Sequence, residues 1–294
     1  MEGKYVIFTD VSSDLEPTFI KENDVHFIPM KYMINSEDRL YTGMYDESIL
    51  KDFYSAQKNG ADTKTTQIAP QIYSDIWEPI AKEGKSIIYI SLSSGLSSTY
   101  QSSMLAANEL MDKYPDIKIL PIDSLAGTAG MSLLVEKAIE NKKSGMTIED
   151  NAASLDKIKH NLCHWFMVED LMYLKRGGRV SATTAIVGTA LNIKPILKVD
   201  DNGKLVPIAK KRGIKAALKE LVHLYEVASE GGEERVYITH GDCIDNAKKL
   251  EKAILEINPR CKITTLMLNP IIGSHTGPGM LAILHFGKKD NIIK

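Results

Sequence analysis

The 294-residue sequence has few cysteines and none of the patterns that give cysteines a structural role. Cys163, Cys243 and Cys261 are odd in number, lie far apart and form no C-x-x-C pair. This argues against a disulfide framework and against a cysteine zinc site, and it is typical of a reducing compartment. The first residues, MEGKYVIFTDVSSD, predict a strand rather than a signal peptide. We therefore expect a cytoplasmic protein.

An excess of one charge and long apolar runs are also missing. The 36 lysines and arginines are balanced by 38 acidic residues, for a net charge of −2. This argues against a nucleic-acid partner, because such proteins usually carry a basic excess. No apolar run approaches the roughly 18 residues of a membrane span. Apolar residues make up 44% of the chain, as in globular proteins, and its length favours two domains.

Short apolar segments alternate with helical patterns in the first half of the chain. Residues 5–9, 86–92 and 117–122 are apolar on both faces, which is typical of strands buried between helix layers in a parallel sheet. Residues 25–33 alternate more, and they predict one half-exposed strand. Apolar residues at helical spacing predict an amphipathic helix over 100–111.

The second half has a different pattern, with more strands and fewer helices. Apolar stripes near 214–225 and 250–257 predict two helices, and DNGK at 201–204 predicts a hairpin turn. We expect a mixed sheet with helices on one face, and a domain boundary near residue 155. The predicted strands are 164–168, 195–199, 236–240, 263–268 and 281–286.

The most informative segment is ISLSSGLSSTYQSS, residues 90–103, which follows a strand and opens a helix. Hydroxyls and free backbone N–H groups at a helix N-terminus form a local anion site. Phosphate loops usually add several glycines and a lysine, whereas this loop has only Gly95 and no basic residue. The loop is better matched to a carboxylate than to a triphosphate. Helix capping by serine is the alternative and is equally consistent with the sequence.

Two further polar residues lie beside predicted helix ends. Thr65 precedes a helix predicted to begin near Pro70, so its hydroxyl could cap that helix or bind a ligand. Arg179 follows a helix predicted to end at Gly177, and a second helix is predicted to begin after Ser181. The guanidinium could hold an anion. An exposed surface arginine is the alternative.

The segment GSHTGPG, residues 273–279, predicts a tight loop between two strands with His275 as its only titratable residue. Such a histidine can bond an anionic head group or act as a base, although most loop histidines do neither. His240 and Cys243 are close in HGDC, but no third group completes a nucleophilic triad. No spacing resembles a metal site. We therefore predict no catalytic residue, no metal and no cofactor.

Charged residues outside these segments give weaker signals. Asp10 follows a strand and Asp123 ends one, so both are predicted at one edge of a sheet, where ligands of α/β proteins bind. Asp14 is predicted to be a cap. Residues 210–215 form a basic cluster that includes Arg212 and that we place at a helix start, where the dipole disfavours cations. The cluster is either a partner surface or an ordinary exposed patch.

The order of these segments along the whole chain resembles the DegV family. The segments are TDVSSDL, TTQ, SSGLSSTYQS, DS at 123–124, LKRGGRV, KPIL, KKRGIKA, HGD and IGSHTGPG. The resemblance implies a two-domain α/β fold. A three-layer α/β/α domain with a parallel sheet would span 1–155, and a two-layer α/β domain with a mixed sheet would span 156–294. A long-chain fatty acid would lie between the two, and no cofactor is implied.

The resemblance also implies a function and roles for particular residues. The protein would be a bacterial lipid-binding protein, not an enzyme, that presents a fatty acid to a separate fatty acid kinase for acyl-phosphate formation in phospholipid metabolism. Peripheral contact with a membrane is left open. Hydroxyls of Thr65 and Ser93 would hold the carboxylate, with the Ser94 N–H, His275 and Arg179 beside it. Arg212, in the basic cluster, would contact the kinase.

Two other functions remain as alternatives. One is a phosphotransferase related to dihydroxyacetone kinases, in which His275 or His240 would have to be the reactive group, although the sequence contains no phosphate loop. The other is a carrier of a different amphiphilic small molecule, because the same pocket chemistry would serve it. Turnover of ATP would indicate the first, and the mass of a co-purified ligand would distinguish the second.

Overall fold

The computed structural model describes residues 5–43, 46–181 and 192–289. The described strands are β1 Tyr5–Asp10, β2 Val25–Ile28, β3 Met30–Ile34, β4 Glu37–Tyr41, β5 Thr63–Thr65, β6 Ser86–Ser91, β7 Ile119–Asp123, β8 Leu162–Met167, β9 Ile193–Val199, β10 Leu205–Arg212, β11 Arg235–His240, β12 Lys262–Met267 and β13 Leu281–Phe286. The described helices are α1 Pro17–Asn23, α2 Glu47–Lys58, α3 Pro70–Lys82, α4 Thr99–Lys113, α5 Ala129–Lys143, α6 Ile148–Ile158, α7 Leu171–Arg176, α8 Ile214–Ala228, α9 Ile244–Ile257 and α10 Pro270–Thr276.

The first half is built on a parallel sheet with strand order β2-β1-β6-β7. Helix α3 covers one face, where Trp77 packs edge-on against Phe8 of β1 and Tyr89 of β6. Helix α6 covers the other face, where Asn151 donates a hydrogen bond to the Tyr5 hydroxyl. The strands are therefore apolar on both faces because helices bury both of them. This confirms the predicted three-layer arrangement.

The strand predicted over 25–33 is instead two strands in different sheets. β2 pairs with β1 in the parallel sheet, whereas β3 is the central strand of a separate antiparallel sheet with order β4-β3-β5. Pro29 separates them and lacks the N–H that a continuing strand would donate. The second sheet was not predicted from the sequence. It matters for the site because β5 ends at Thr65.

The second half is built on a mixed sheet with strand order β10-β9-β8-β13-β11-β12. Helices α8 and α9 pack on one face, where residues such as Leu221 and Leu250 are fully buried together with Trp165. The hairpin between β9 and β10 turns where the Asp200 carboxylate accepts from the N–H groups of residues 202 and 204. The predicted mixed sheet, its helical face and its hairpin are confirmed.

Helix α5 lies between the two large sheets. It packs against β1 and β6 of the parallel sheet and against β8, β11 and β13 of the mixed sheet, and residues 129–135 are all buried. Buried residues of both halves therefore form one continuous apolar cluster. Residue 155 lies within α6, and the chain enters the mixed sheet at Leu162. The division at residue 155 stays a prediction.

Among the described residues, no helix is both long enough and apolar enough to cross a membrane.

Candidate functional site

A largely apolar cavity lies where loops of the first half meet the mixed sheet. Its empty space, open mouth included, is about 740 Å³. Among the described residues that line it, Arg179 is the only lysine, arginine, aspartate or glutamate. The lining residues are Met30, Thr65, Leu92, Leu96, Ser97, Gly127, Thr128, His164, Phe166, Leu174, Arg179, Val199, Leu205, Ile271, Ile272, His275, Thr276, Met280, Ala282 and Leu284.

Three of the predicted site residues, Thr65, Arg179 and His275, line this cavity, and we call them the polar cluster. The Thr65 Oγ1 and the His275 Nε2 are 2.7 Å apart and share a hydrogen bond. Burial and, to a smaller extent, the positive charge of Arg179 lower the pKa of His275 to about 3. The imidazole is therefore neutral at pH 7, so the positive charge of the cluster resides on Arg179.

His275 lies on a helix rather than in the predicted loop. Pro270 occupies the first turn of α10, and the Asn269 side chain accepts from the N–H groups of residues 271 and 272. This is an ordinary N-cap with proline just inside it. Gly277, with φ of 74°, ends the helix directly after Thr276. Proline therefore begins this short helix and glycine ends it, and His275 lies in its last turn.

Arg179 follows α7, which ends at Arg176 with Gly177 as its C-cap, as predicted. Its Nε donates to the Leu96 carbonyl over 3.0 Å, and its Nη1 donates to the Gly177 carbonyl. Burial lowers its pKa. Within the part of the chain that the structure describes, no carboxylate forms an ion pair with Arg179. The helix predicted after Ser181 lies outside the described residues.

Gly177 brings His275 and Arg179 together. A Cβ atom at this position would lie 2.3 Å from the His275 Nδ1. That distance is far below any van der Waals contact, so only glycine allows the imidazole to lie against this turn. The neighbouring Gly178 has φ of 74° and open space around it, so it serves the backbone path and not the packing.

The serine loop, residues 92–98, is adjacent to the cavity, but its two predicted ligand groups have partners within the protein. The Ser93 hydroxyl donates to the Gly203 carbonyl over 2.8 Å and accepts from the Gly95 N–H. The Ser94 N–H donates to Asp123 Oδ1 over 3.0 Å. Leu92, Leu96 and Ser97 supply the loop's contribution to the lining. A ligand role for Ser93 and Ser94 stays a prediction.

Asp10 and Asp123 hold this loop from two strands. The Asp10 carboxylate accepts from the Leu92 N–H over 2.9 Å, and the Asp123 carboxylate accepts from the Ser94 N–H. Both lie at the carboxyl edge of the parallel sheet, as predicted from their positions after apolar strands. Because each carboxylate is used by backbone N–H groups, their role is to position the loop. The described residues contain no cluster of metal-ligand side chains.

Asp14, predicted to be a cap, is the C-cap residue of the short 3-10 turn after β1, and its side chain also joins separate segments. Its carboxylate accepts from the Thr128 hydroxyl over 2.6 Å and from the Asn269 N–H over 2.9 Å. Burial raises the pKa of Asp14 to about 6, against the effect of these hydrogen bonds. The N-cap of the same 3-10 turn is Asp10, which accepts from the Ser12 N–H. Asp14 thus ties Thr128, a cavity residue, to the start of α10.

The sequence did not single out four polar residues that line the cavity: Ser97, Thr128, His164 and Thr276. The backbone of Thr128 has φ of 51° and ψ of −145°, a loop conformation that its sequence neighbours do not predict. His164 did carry a signal, because it shares a strand face with Phe166 in an otherwise apolar strand. Only the packing of that face against the first half shows that it borders a cavity.

The pair His240 and Cys243 has a structural role. The Cys243 N–H donates to the His240 Nδ1 over 3.2 Å, and the Cys243 Sγ donates to the Met280 carbonyl. Burial raises the pKa of Cys243 to about 12 and lowers that of His240 to about 4. At neutral pH the thiol stays protonated, which makes it a poor nucleophile.

The basic cluster at 210–215 is divided between a strand and a helix. Lys210, Lys211 and Arg212 end β10, and only Lys215 lies in the first turn of α8. The prediction that the whole cluster lies at a helix start was therefore wrong. Lys211 forms an ion pair with Glu220 over 2.7 Å, whereas Arg212 is exposed. A partner role for Arg212 stays a prediction.

Fold and site together define an α/β protein with two large sheets and one small sheet, a largely apolar cavity shared by both halves, and one cation among the described residues of its lining. The DegV family model matches residues 4–288, and the chain belongs to the DegV family. A DegV domain-containing protein of Clostridium perfringens is 37% identical over 286 residues, covering 97% of this chain and 98% of that protein.

Solved structures of the family share the whole fold. DegV from Bacillus subtilis, described as a fatty acid binding protein, is 29% identical, with a TM-score of 0.81 over 97% of this chain and 99% of that chain. A DegV lipid binding protein from Thermotoga maritima is 26% identical, with a TM-score of 0.84 over 96% of this chain and 98% of that chain. The predicted family and the predicted fold class are confirmed.

Proposed function

We propose that this protein binds a long-chain fatty acid in the cavity, with the carboxylate at the polar cluster. The observation that carries the proposal is the composition of the lining, in which the guanidinium of Arg179 is the only charged group among the described residues of a largely apolar space. Such a cavity matches an amphiphile with one negative charge. Burial disfavours the charged form of Arg179, so an anion beside it restores the balance of charge. The solved relatives described as fatty acid or lipid binding support the same ligand class.

The energetics favour a ligand that stays bound through purification. An acyl chain of 16–18 carbons, at about 0.8 kcal/mol per buried CH₂ group, contributes over ~10 kcal/mol before the costs of binding. Charge-assisted hydrogen bonds to the carboxylate add about 1.5–3 kcal/mol each. The acyl chain therefore supplies most of the affinity, and the polar cluster sets the orientation of the acid.

Ser93 and Ser94 can donate hydrogen bonds to the carboxylate of the ligand only if they give up their partners within the protein. The Ser93 hydroxyl must exchange its bond to Gly203 for one to the ligand, and the Ser94 N–H must do the same with Asp123. Ser93→Ala tests the first exchange. A ligand role predicts weaker lipid retention with folding intact, whereas a purely structural role predicts a lower free energy of unfolding and unchanged lipid occupancy.

A separate fatty acid kinase carries out the chemical step. An oxygen of the carboxylate forms a bond to the terminal phosphorus of a nucleoside triphosphate, and the bond from that phosphorus to the nucleoside diphosphate breaks. The product is an acyl-phosphate, and the diphosphate leaves from the kinase. The present protein binds and orients the acid and donates no catalytic group to this transfer.

The test of ligand binding is native mass spectrometry of the freshly purified protein, followed by denaturation and lipid identification. An adduct that resolves to a free fatty acid supports the proposal. A ligand of another chemical class would indicate a carrier of a different amphiphile. If no adduct is present and no fatty acid binds on titration, the proposal is wrong, and intrinsic ATP turnover becomes the next measurement.

The test of kinase presentation is Arg212→Glu. Because Arg212 is exposed and outside the cavity lining, lipid binding should be unchanged, while phosphorylation of the bound acid by the kinase should fall. Lys248→Glu, an exposed cation on α9, is the matched control for charge reversal. Equal turnover of the parent and Arg212→Glu would remove Arg212 from the kinase surface.

A further inference from the structure

His164 is a buried polar side chain in a part of the cavity wall that is otherwise apolar. It lies on β8, and its neighbours in the lining are Phe166 on the same strand and Ala282 and Leu284 on β13. We call these four residues the sheet wall. Only 4% of His164 is exposed. Among the described residues, neither of its ring nitrogens has a hydrogen-bond partner.

This combination is unfavourable, because a buried polar group without a hydrogen-bond partner lowers the stability of the folded protein by about 1–3 kcal/mol. Native proteins rarely leave such groups unsatisfied, and those that remain call for an explanation. The Leu162 backbone lies close enough to raise the pKa of the imidazole, but neither ring nitrogen forms a hydrogen bond with it. A neutral imidazole carries one N–H donor and one acceptor nitrogen. A ligand group that can both donate and accept is its natural complement.

The surrounding structure makes room for this imidazole. A Cβ atom on Gly130 of α5 would lie 2.1 Å from the His164 Nε2. The ring therefore occupies space that a side chain at residue 130 would fill. Gly127 and Thr128, immediately before this helix, line the same cavity. The helix start and the sheet wall thus form two sides of the space that His164 borders.

His164 is separate from the polar cluster. His164 lies within β8, whereas Thr65 ends β5, Arg179 follows α7 and His275 lies on α10. The sheet wall lies along two paired strands, with Ala282 opposite Phe166 and Leu284 opposite His164. His164 lies three positions before Met167, the last residue of β8, which is about 10 Å at roughly 3.3 Å per residue. Because His164 and the polar cluster line the same cavity, a ligand held at the cluster by its carboxylate would meet His164 with its acyl chain.

We propose that His164 is a specificity-determining residue that selects a fatty acid with a hydroxyl group on its acyl chain. The hydroxyl donates to or accepts from an imidazole nitrogen, which satisfies a group that a plain hydrocarbon chain would leave without a partner. The inference rests on the proposed fatty-acid function and narrows its ligand class. An extended chain spans roughly 1.2 Å per bond, so a hydroxyl near the middle of an 18-carbon chain is the suitable probe.

The experiment compares the dissociation constants of delipidated protein for three acids of equal length: octadecanoic, 10-hydroxyoctadecanoic and 2-hydroxyoctadecanoic acid. The parent protein should bind the 10-hydroxy acid at least about fivefold more tightly than the plain acid, since one satisfied hydrogen bond supplies this much. The 2-hydroxy acid controls for polarity, because its hydroxyl stays beside the carboxylate. It should show no such preference.

His164→Leu should abolish or reverse the preference for the 10-hydroxy acid and leave the plain acid bound. Phe166→Leu, on the same strand face, is the matched control: it changes the affinities for the plain and 10-hydroxy acids together and leaves their ratio intact. As a second readout, the ring ¹⁵N resonances of His164 should shift with the 10-hydroxy acid and not with the plain acid.

The outcomes separate this inference from the function on which it rests. Equal binding of the plain and 10-hydroxy acids by the parent, or an unchanged ratio in His164→Leu, overturns the role of His164 and leaves fatty-acid binding in place. Failure of all three acids to bind overturns the proposed function itself.

Discussion

The polar cluster and the sheet wall differ in how their polar groups are satisfied. In the polar cluster, Thr65 bonds to His275 and Arg179 bonds to two backbone carbonyls. In the sheet wall, His164 is buried with no such partner among the described residues. The first arrangement is organised before any ligand arrives, whereas the second depends on what the ligand brings. Orientation and chain selectivity are therefore expected to be separable by mutation.

The largest effect should come from the cation of the polar cluster. Arg179→Leu should weaken binding of a fatty acid by about 1.5–3 kcal/mol, roughly 10- to 150-fold, because a charge-assisted hydrogen bond is lost. The methyl ester of the same acid should bind the parent and the variant similarly. Calorimetric titration of acid and ester measures both. Arg260→Leu, at an exposed position, is the control, and an equal loss for acid and ester would show that Arg179 acts only on packing.

The packing of the polar cluster is tested at Gly177. Gly177→Ala places a methyl group against His275 and should lower the free energy of unfolding by about 1–3 kcal/mol through overpacking. Acid affinity should fall as well, because the bond between His275 and Thr65 is displaced. Gly178→Ala provides the contrast: its positive φ costs about 1 kcal/mol, but acid affinity should be kept. Equal affinity in both variants would contradict the arrangement.

Burial of His164 in the sheet wall should make the stability of the protein depend on pH. Burial lowers the pKa of His164 to about 3, with the charge of Lys289 adding to the effect. Between about pH 6 and pH 4 the unfolded state binds a proton at this residue and the folded state does not. Stability therefore falls as the pH decreases, by about 1.4 kcal/mol per pH unit for this group. Denaturant unfolding of His164→Leu should show a slope smaller by about that amount, and an unchanged slope would mean that His164 is protonated in the fold.

The smallest effect is expected at Thr65. Thr65→Val keeps the shape of the side chain but removes the hydroxyl bonded to His275, and should weaken acid binding by about 0.5–1.5 kcal/mol. Thr66→Val, at the exposed neighbouring position, should have no measurable effect. If the two variants behave alike in a titration with the same acid, Thr65 does not contact the head group.

Part of the site could be predicted from the sequence. Thr65, Arg179 and His275 were identified from segment order, and the structure places all three in one cavity lining. His275 was assigned to a loop because glycine and proline usually mark turns, yet here Asn269 and Pro270 begin a helix and Gly277 ends it. Local signals of this kind are the same for a turn and for a short capped helix.

Ser93 shows a different limit. Its hydroxyl-rich context predicts a ligand contact, but the hairpin that closes at Gly203 supplies the partner instead. The two residues are 110 positions apart in the sequence. No local pattern could indicate this contact, since it depends on how the mixed sheet packs against the serine loop.

The sequence by itself determined the family, the parallel and the mixed sheet and most of their strand positions, because burial on one face or on both leaves a local pattern of apolar residues. Only the tertiary structure decided which polar groups share the cavity. Gly130 and His164, or Thr65 and His275, meet because α5 and α10 pack between elements that are distant in the chain. Periodicity records whether a residue is buried, whereas the identity of its neighbour depends on the packing of whole elements.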